Sequence, residues 1–178
     1  MNNKHFTAYY FLTILNSERK LILCPKHWYY TTKNVAQVIA NKLDADIAEL
    51  HAKHPYTSAD LDWHDPQSRI SIEQHQHNSR VEINDDLPDI SNYNNVIIGH
   101  PIWWGIPPCL ITTAIDKLDL NGKNLTSFAT SGGSGYKRSQ ANIERTLRKN
   151  NYNVTITQGA VLNNQHQIET WVKTLNFR

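Results

Sequence analysis

Apolar residues fall into compact runs along this chain, and those runs alternate with segments of helical period. Lys20–Cys24 is a short strand ended by Pro25. Thr31 or Thr32 caps a helix running to about Leu43, with Val35, Val38, Ile39 and Leu43 on one face. Asp46–Leu50 is a second strand. From His51 to about Asn94 the chain turns polar and irregular, punctuated by Pro55, Pro66 and Pro88. A third strand, Asn95–His100, follows, and Pro107 and Pro108 open a helix through Lys117. Asn121 and Gly122 form a turn before a fourth strand, Leu125–Thr130. The glycine-rich run Ser131–Gly135 leads into a helix over about Lys137–Asn150. Val154–Thr157, extending toward Val161, is a fifth strand, and a last helix covers about Gln165–Leu175.

The strands lack the alternation of a half-exposed sheet, so both of their faces should be covered by helices. The repeated strand–helix order then predicts an α/β fold with a doubly wound, five-stranded parallel sheet of order 2-1-3-4-5 and helices on both faces. Its topological switch lies between the first and third strands, where residues 25–32 and 101–105 converge. Residues 1–19 read as an N-terminal extension, or an extra element packed on a domain spanning 20–178. Residues 51–94 form an insertion within that domain.

Length, 178 residues, is enough for one domain with a substantial core. A net charge of +2, with no evident Lys/Arg block or basic stripe, argues against nucleic acid as a partner. Phe6–Leu15 is too short to span a membrane, and no small-residue cleavage site follows it. Cys24 and Cys109 lie far apart in apolar surroundings, as expected of buried free thiols in a reducing, cytoplasmic setting.

The richest chemistry is in Val96–Gly105, where an apolar strand ends on Pro101 and then presents Trp103, Trp104 and Gly105. Parallel-sheet proteins bind ligands just beyond such strand ends, and adjacent indoles suit a planar aromatic ligand. A tryptophan that merely plugs the gap between sheet and helix is the plainer alternative. Glycines at 132, 133 and 135 permit close backbone approach to a flat ligand, with Thr130 and Ser131 able to bond its polar edge. The run is not a dinucleotide fingerprint, because it follows the wrong strand with the wrong spacing. His51, His54, His64, His75 and His77 cluster in the insertion without the spacing of a zinc site, so no metal is expected. Asp62, Trp63, Arg69 and Glu73 are expected instead to pin the insertion to the domain. Ser134 lacks the Gly-x-Ser-x-Gly context of an activated nucleophile, and no catalytic side chain is assigned.

Over residues 20–175 the sequence resembles the flavodoxin family, in a branch with a long polar insertion after the second strand. Three stretches carry the likeness: Tyr56-Thr57, Asp60–Trp63, Ser68-Arg69, Glu73 and Arg80 in the insertion; Gly99–Gly105; and Thr130–Gly135. The resemblance implies bound FMN, its ring against Pro101, Ile102, Trp103, Trp104 and Gly105 on one side. Thr130, Ser131, Gly132, Gly133 and Gly135 would then border the other.

It also implies a phosphate loop before Val35-Ala36, but there the chain departs from the family. His27–Thr32 replaces a Ser-x-Thr-Gly-Asn-Thr pattern, with only Thr32 in common, and Tyr30 stands where glycine would give easy access to positive φ. His27, Thr31 and Thr32 remain the candidates for the phosphate. Two readings stay open: an FMN-dependent NAD(P)H oxidoreductase or electron carrier, or a protein of the same fold that has lost the cofactor. A pI near 8.5 favours a nicotinamide donor and a small acceptor such as a quinone over steering toward a basic protein partner. A third reading makes residues 1–19 an assembly arm, as in a homodimer.

Overall fold

The protein is described here from a computed structural model that covers residues 9–15, 30–76, 78–84 and 87–175. In chain order its elements are β1 (Tyr9–Leu15), α1 (Tyr30–Leu43), β2 (Asp46–His51), α2 (Arg69–His75), β3 (Asn95–Pro101) and α3 (Cys109–Lys117). There follow β4 (Asn124–Thr130), α4 (Lys137–Lys149), β5 (Thr155–Ile156), β6 (Ala160–Val161) and α5 (Gln165–Thr174). The sheet runs β2-β1-β3-β4-β5, with β6 also paired to β4.

The centre of this sheet explains the unbroken apolar runs. Every residue of β3 is buried, as are six of the seven in β4. Helices α1 and α5 pack together, as do α3 and α4, as expected for a layered sheet covered on two faces. Ile97, Ile98 and Phe128 are among the largest fully enclosed side chains. Their burial contributes roughly 1.5–3 kcal/mol each toward ordering the chain.

Strands β3, β4, β5 and β6 pair in parallel. The departure is β1. The position between β2 and β3 belongs to Tyr9–Leu15, which runs antiparallel to both neighbours, with Tyr9 opposite His51 and Leu12 opposite Ile98. Lys20–Cys24, expected as that strand, lies outside the described residues. Two apolar runs compete for the slot in the sequence, and hydrophobic pattern alone does not rank them. Tyr9–Leu15 is the longer and richer in aromatic and β-branched residues, which suits a central strand.

Two further expectations are corrected. The insertion is not wholly irregular: Ser68 caps α2, its side chain accepting from the Ser71 N–H, and Ile70, Ser71 and Gln74 face inward. The fifth strand is broken into β5 and β6, giving six strands rather than five. Gly159 sits in the break, where a Cβ would come within 2.3 Å of the Tyr136 ring and 2.4 Å of the Ser127 carbonyl. The aromatic ring therefore occupies the space that a continuous strand with side chains would need.

Candidate functional site

Two turns at the carboxyl rim of β3 and β4 make the site. After Pro101 the chain closes a two-residue hairpin: Trp103 N–H donates to Ile106 O (2.9 Å) and Ile106 N–H to Trp103 O (3.0 Å). Its central residues both have positive φ, +48° at Trp104 and +86° at Gly105. That combination is a type I′ turn, for which Asn-Gly is the usual sequence. A bulky residue at positive φ is uncommon and costs on the order of 1 kcal/mol, so the surroundings must hold it.

They do so chiefly through Gln74, a buried side chain of α2. Its amide nitrogen donates to Trp103 O (3.1 Å) and Pro107 O (3.3 Å), and its oxygen accepts from the Cys109 N–H (3.1 Å). Tyr56 meets the Trp103 ring edge-on at 6.4 Å, and His75 meets Trp104 similarly at 5.8 Å. Tyr56 is itself fixed, its hydroxyl donating to Glu73 (2.6 Å) while Arg69 lies over its ring and pairs with the same carboxylate. The Arg69 and Glu73 side chains thus brace Tyr56 and each other within the insertion, while Tyr56 and Gln74 reach the rest of the domain. The Asp62 carboxylate likewise accepts from the nearby His64 N–H, and Trp63 is half exposed against the His64 ring.

The second turn, Ser131–Gly135, is built differently. Ser131 Oγ accepts from the N–H groups of Gly133 (3.2 Å) and Ser134 (2.7 Å), and Asn163 brackets Ser131 through both its amide oxygen and nitrogen. Gly132 and Gly133 have open space where a Cβ would stand. Between the two turns lies a cavity of about 970 Å³, within reach of the upper range for small-molecule sites. Pro101, Ile102, Trp103 and Trp104 wall one side, and Thr130, Ser131, Gly132 and Gly133 the other.

The remaining sequence candidates fall elsewhere. Gly105 and Gly135 belong to a neighbouring cavity. Thr31 lies in the first turn of α1. Thr32 does not cap that helix: it lies within α1, is fully buried, and its hydroxyl bonds Thr130 Oγ1, bringing the first turn of α1 against the cavity floor. His27, Trp28 and Tyr29 lie outside the described residues, whereas Tyr30 opens α1. Leu61, Trp63, Ile70, Ser134 and Asn163 complete the lining and were not assigned from sequence. Nothing in the spacing of the Asp60–Trp63 motif shows that the insertion folds back over the rim.

Beneath Pro101 runs a buried polar chain. His100 Nδ1 donates to Pro101 O (2.8 Å), while its Nε2 lies 3.3 Å from the Tyr136 hydroxyl, which donates to Ser127 Oγ. Burial disfavours charge on each ring: it lowers His100 to about 4 and pushes Tyr136 well above its ordinary value. Cys109 is a buried free thiol, raised to about 11 mainly by desolvation and then by Glu73. It is therefore a poor nucleophile at neutral pH. Cys24 lies outside the described residues. Among the described residues no cluster of three His, Cys, Asp or Glu side chains could hold a metal, and no helix is long and apolar enough to cross a membrane.

A second cavity, of about 880 Å³, abuts the first and shares Trp104 and Ser134 with it. Its lining includes His75, Arg138, Arg145 and Arg148. This corrects the expectation that the chain has no basic stripe. Residues 138, 145 and 148 look scattered in sequence, yet seven- and ten-residue offsets bring them onto one face of α4.

Comparison with known proteins gives a consistent picture. A family model described as flavodoxin matches residues 27–175. A candidate flavoprotein from Bacteroides eggerthii is 32% identical, with 86% of this chain and 94% of that one covered at a TM-score of 0.76. Another from Bacteroides uniformis is 29% identical, with 86% and 95% covered and a TM-score of 0.74. A flavoprotein from Lactobacillus acidophilus, solved in complex with FMN, is 24% identical, with 85% and 96% covered and a TM-score of 0.64. No curated protein matches the chain.

Proposed function

The chain belongs to the flavodoxin family, and from that premise we propose that it is an FMN-binding redox protein that reduces a small acceptor such as a quinone. The observation that carries this reading is the cavity between an indole-bearing turn and a Ser/Gly turn at the rim of β3 and β4. The FMN complex of the Lactobacillus acidophilus protein supports the choice of flavin.

The residues present fit the group. Trp103 and Trp104 offer flat, polarisable walls, and the bare glycines at 132 and 133 leave room for a planar ring to stand close to backbone. Thr130 and Ser131 place hydroxyl groups at the same wall. The first turn of α1, tied to Thr130 through Thr32, brings the positive end of a helix beside the cavity, a setting that favours a phosphate. When bound, FMN supplies the electron-transfer chemistry. The protein's part is to orient the ring, limit its access to water and tune it by nearby backbone. His100 and Tyr136, held neutral under Pro101, add no charge to that wall of the cavity.

Titration of the purified protein with FMN tests the reading through quenching of flavin fluorescence. Trp103→Ala and Trp104→Ala should each weaken affinity by roughly tenfold, the loss expected when about 1–2 kcal/mol of aromatic contact is removed. A wild-type protein that leaves FMN fluorescence unchanged would instead favour the fold without the cofactor.

A further inference from the structure

We propose that the arginine-lined cavity beside the FMN site binds the phosphate groups of a nicotinamide dinucleotide, the electron donor. This rests on the redox reading above and assigns the donor a place on the protein.

Four observations converge on it. The first is charge. Arg138, Arg145, Arg148 and His75 line the cavity, and no carboxylate does. Arg148 pairs with Glu144 at 3.5 Å, but Arg138 and Arg145 have no carboxylate partner among the described residues. Guanidinium forks match phosphate oxygens two at a time, and side chains without an internal partner are available to do so.

The second is size. About 880 Å³ is ample for a dinucleotide's phosphates and an attached ribose, and far more than a simple anion requires. The third is position. The cavity meets the proposed flavin pocket across Trp104 and Ser134, so a ligand anchored by its phosphates among the arginines can extend an aromatic end toward the cofactor.

The fourth is local construction. Gly105 lacks a side chain at the place where Arg138 lies: a Cβ there would come within 2.7 Å of the guanidinium nitrogen and 3.0 Å of its central carbon. The glycine that permits the positive-φ turn also lets an arginine pack against it. One turn therefore positions an indole for one cavity and a guanidinium for the other.

The experiment uses the whole protein without flavin, so that its result is independent of FMN binding. NADP⁺, which cannot deliver electrons, is titrated while intrinsic tryptophan fluorescence and heat of binding are followed, with NAD⁺ and inorganic pyrophosphate as separate arms. Expected are saturable NADP⁺ binding that weakens with added salt, and a roughly tenfold or greater loss in Arg145→Gln, the scale of one charged hydrogen-bonding group removed. Arg148→Gln should show a smaller loss, because that side chain already has an internal partner. FMN affinity should stay unchanged in both variants. The proposal is overturned if no dinucleotide binds, if Arg145→Gln binds NADP⁺ as well as wild type, or if pyrophosphate alone binds as tightly as NADP⁺. Failure of FMN to bind, with NADP⁺ still bound, would strike the redox reading and leave the anion site standing.

Discussion

Trp103–Ile106 is fastened from several directions, whereas Ser131–Gly135 is fastened by one serine within it and one asparagine outside it. The tryptophan turn takes hydrogen bonds from Gln74 in α2, ring edges from Tyr56 and His75, and the Arg138 guanidinium across Gly105. The glycine turn relies on Ser131 Oγ within the loop and on Asn163 outside it. Both border one cavity, one wall held by α2 and the other by Ser131 and Asn163. Fixing the stacking face in advance lowers the ordering cost of binding. The glycine face, with open space at Gly132 and Gly133, lets a ligand's polar edge come close to backbone groups.

The sharpest way to break this contrast is Gln74→Leu. It leaves the carbonyls of Trp103 and Pro107 and the Cys109 N–H without their shared partner. Trp103 O keeps its bond from the Ile106 N–H, so two buried groups are stranded at about 1–3 kcal/mol each, and a total loss of roughly 3–4 kcal/mol is expected. Urea unfolding would measure it. A loss below about 1 kcal/mol would mean that the turn stands without α2.

Acid gives the next largest effect, again on the firmer wall. His100 titrates near 4 when folded, below its ordinary value of 6.5. Between these values the unfolded chain binds a proton that the folded chain does not. Stability is therefore fully present above pH 6.5 and falls as pH drops toward 4, by up to roughly 3 kcal/mol from this residue. Denaturation midpoints across that window, compared with those of His100→Gln, would isolate the contribution. Parallel profiles for the two proteins would remove His100 from the account.

The smallest change is expected from Ser131→Ala. The two N–H groups it releases sit in an exposed loop where water replaces the hydroxyl, so stability should shift by less than about 1 kcal/mol. If FMN binds where proposed, affinity should also fall only modestly, by about threefold, as befits one neutral hydrogen bond. A stability loss matching that of Gln74→Leu would erase the distinction between the walls.

Sequence patterning located β3, β4 and α3 through apolar runs bounded by proline or glycine, and α4 and α5 through sparse apolar residues at helical spacing. It brought Trp103, Trp104, Ser131 and the first two loop glycines to one rim by the same means. The seven residues of α2 escaped notice: too few turns repeat for a helical period to emerge, and two of its three inward residues, Ser71 and Gln74, are polar. Gln74 went unassigned with them, since its partners are 29 to 35 residues away and nothing local marks it. The hairpin at Trp103–Ile106 was hidden by its sequence, because Trp-Gly is not the usual signature of a turn with two positive φ angles. The arginine face of α4 did leave a signal, legible once residues 138, 145 and 148 are placed on a helical wheel.

The interruption between β5 and β6 reaches beyond the cavity. Each piece offers only two residues of ladder beside β4, so this margin of the sheet presents no long template onto which a foreign strand could zip. Tyr136, lodged in the gap beside Gly159, thus guards against edge-on fibre growth as well as lying against Ser127. Any two copies of this molecule that associate should meet through side-chain surfaces rather than by extending the sheet across that margin.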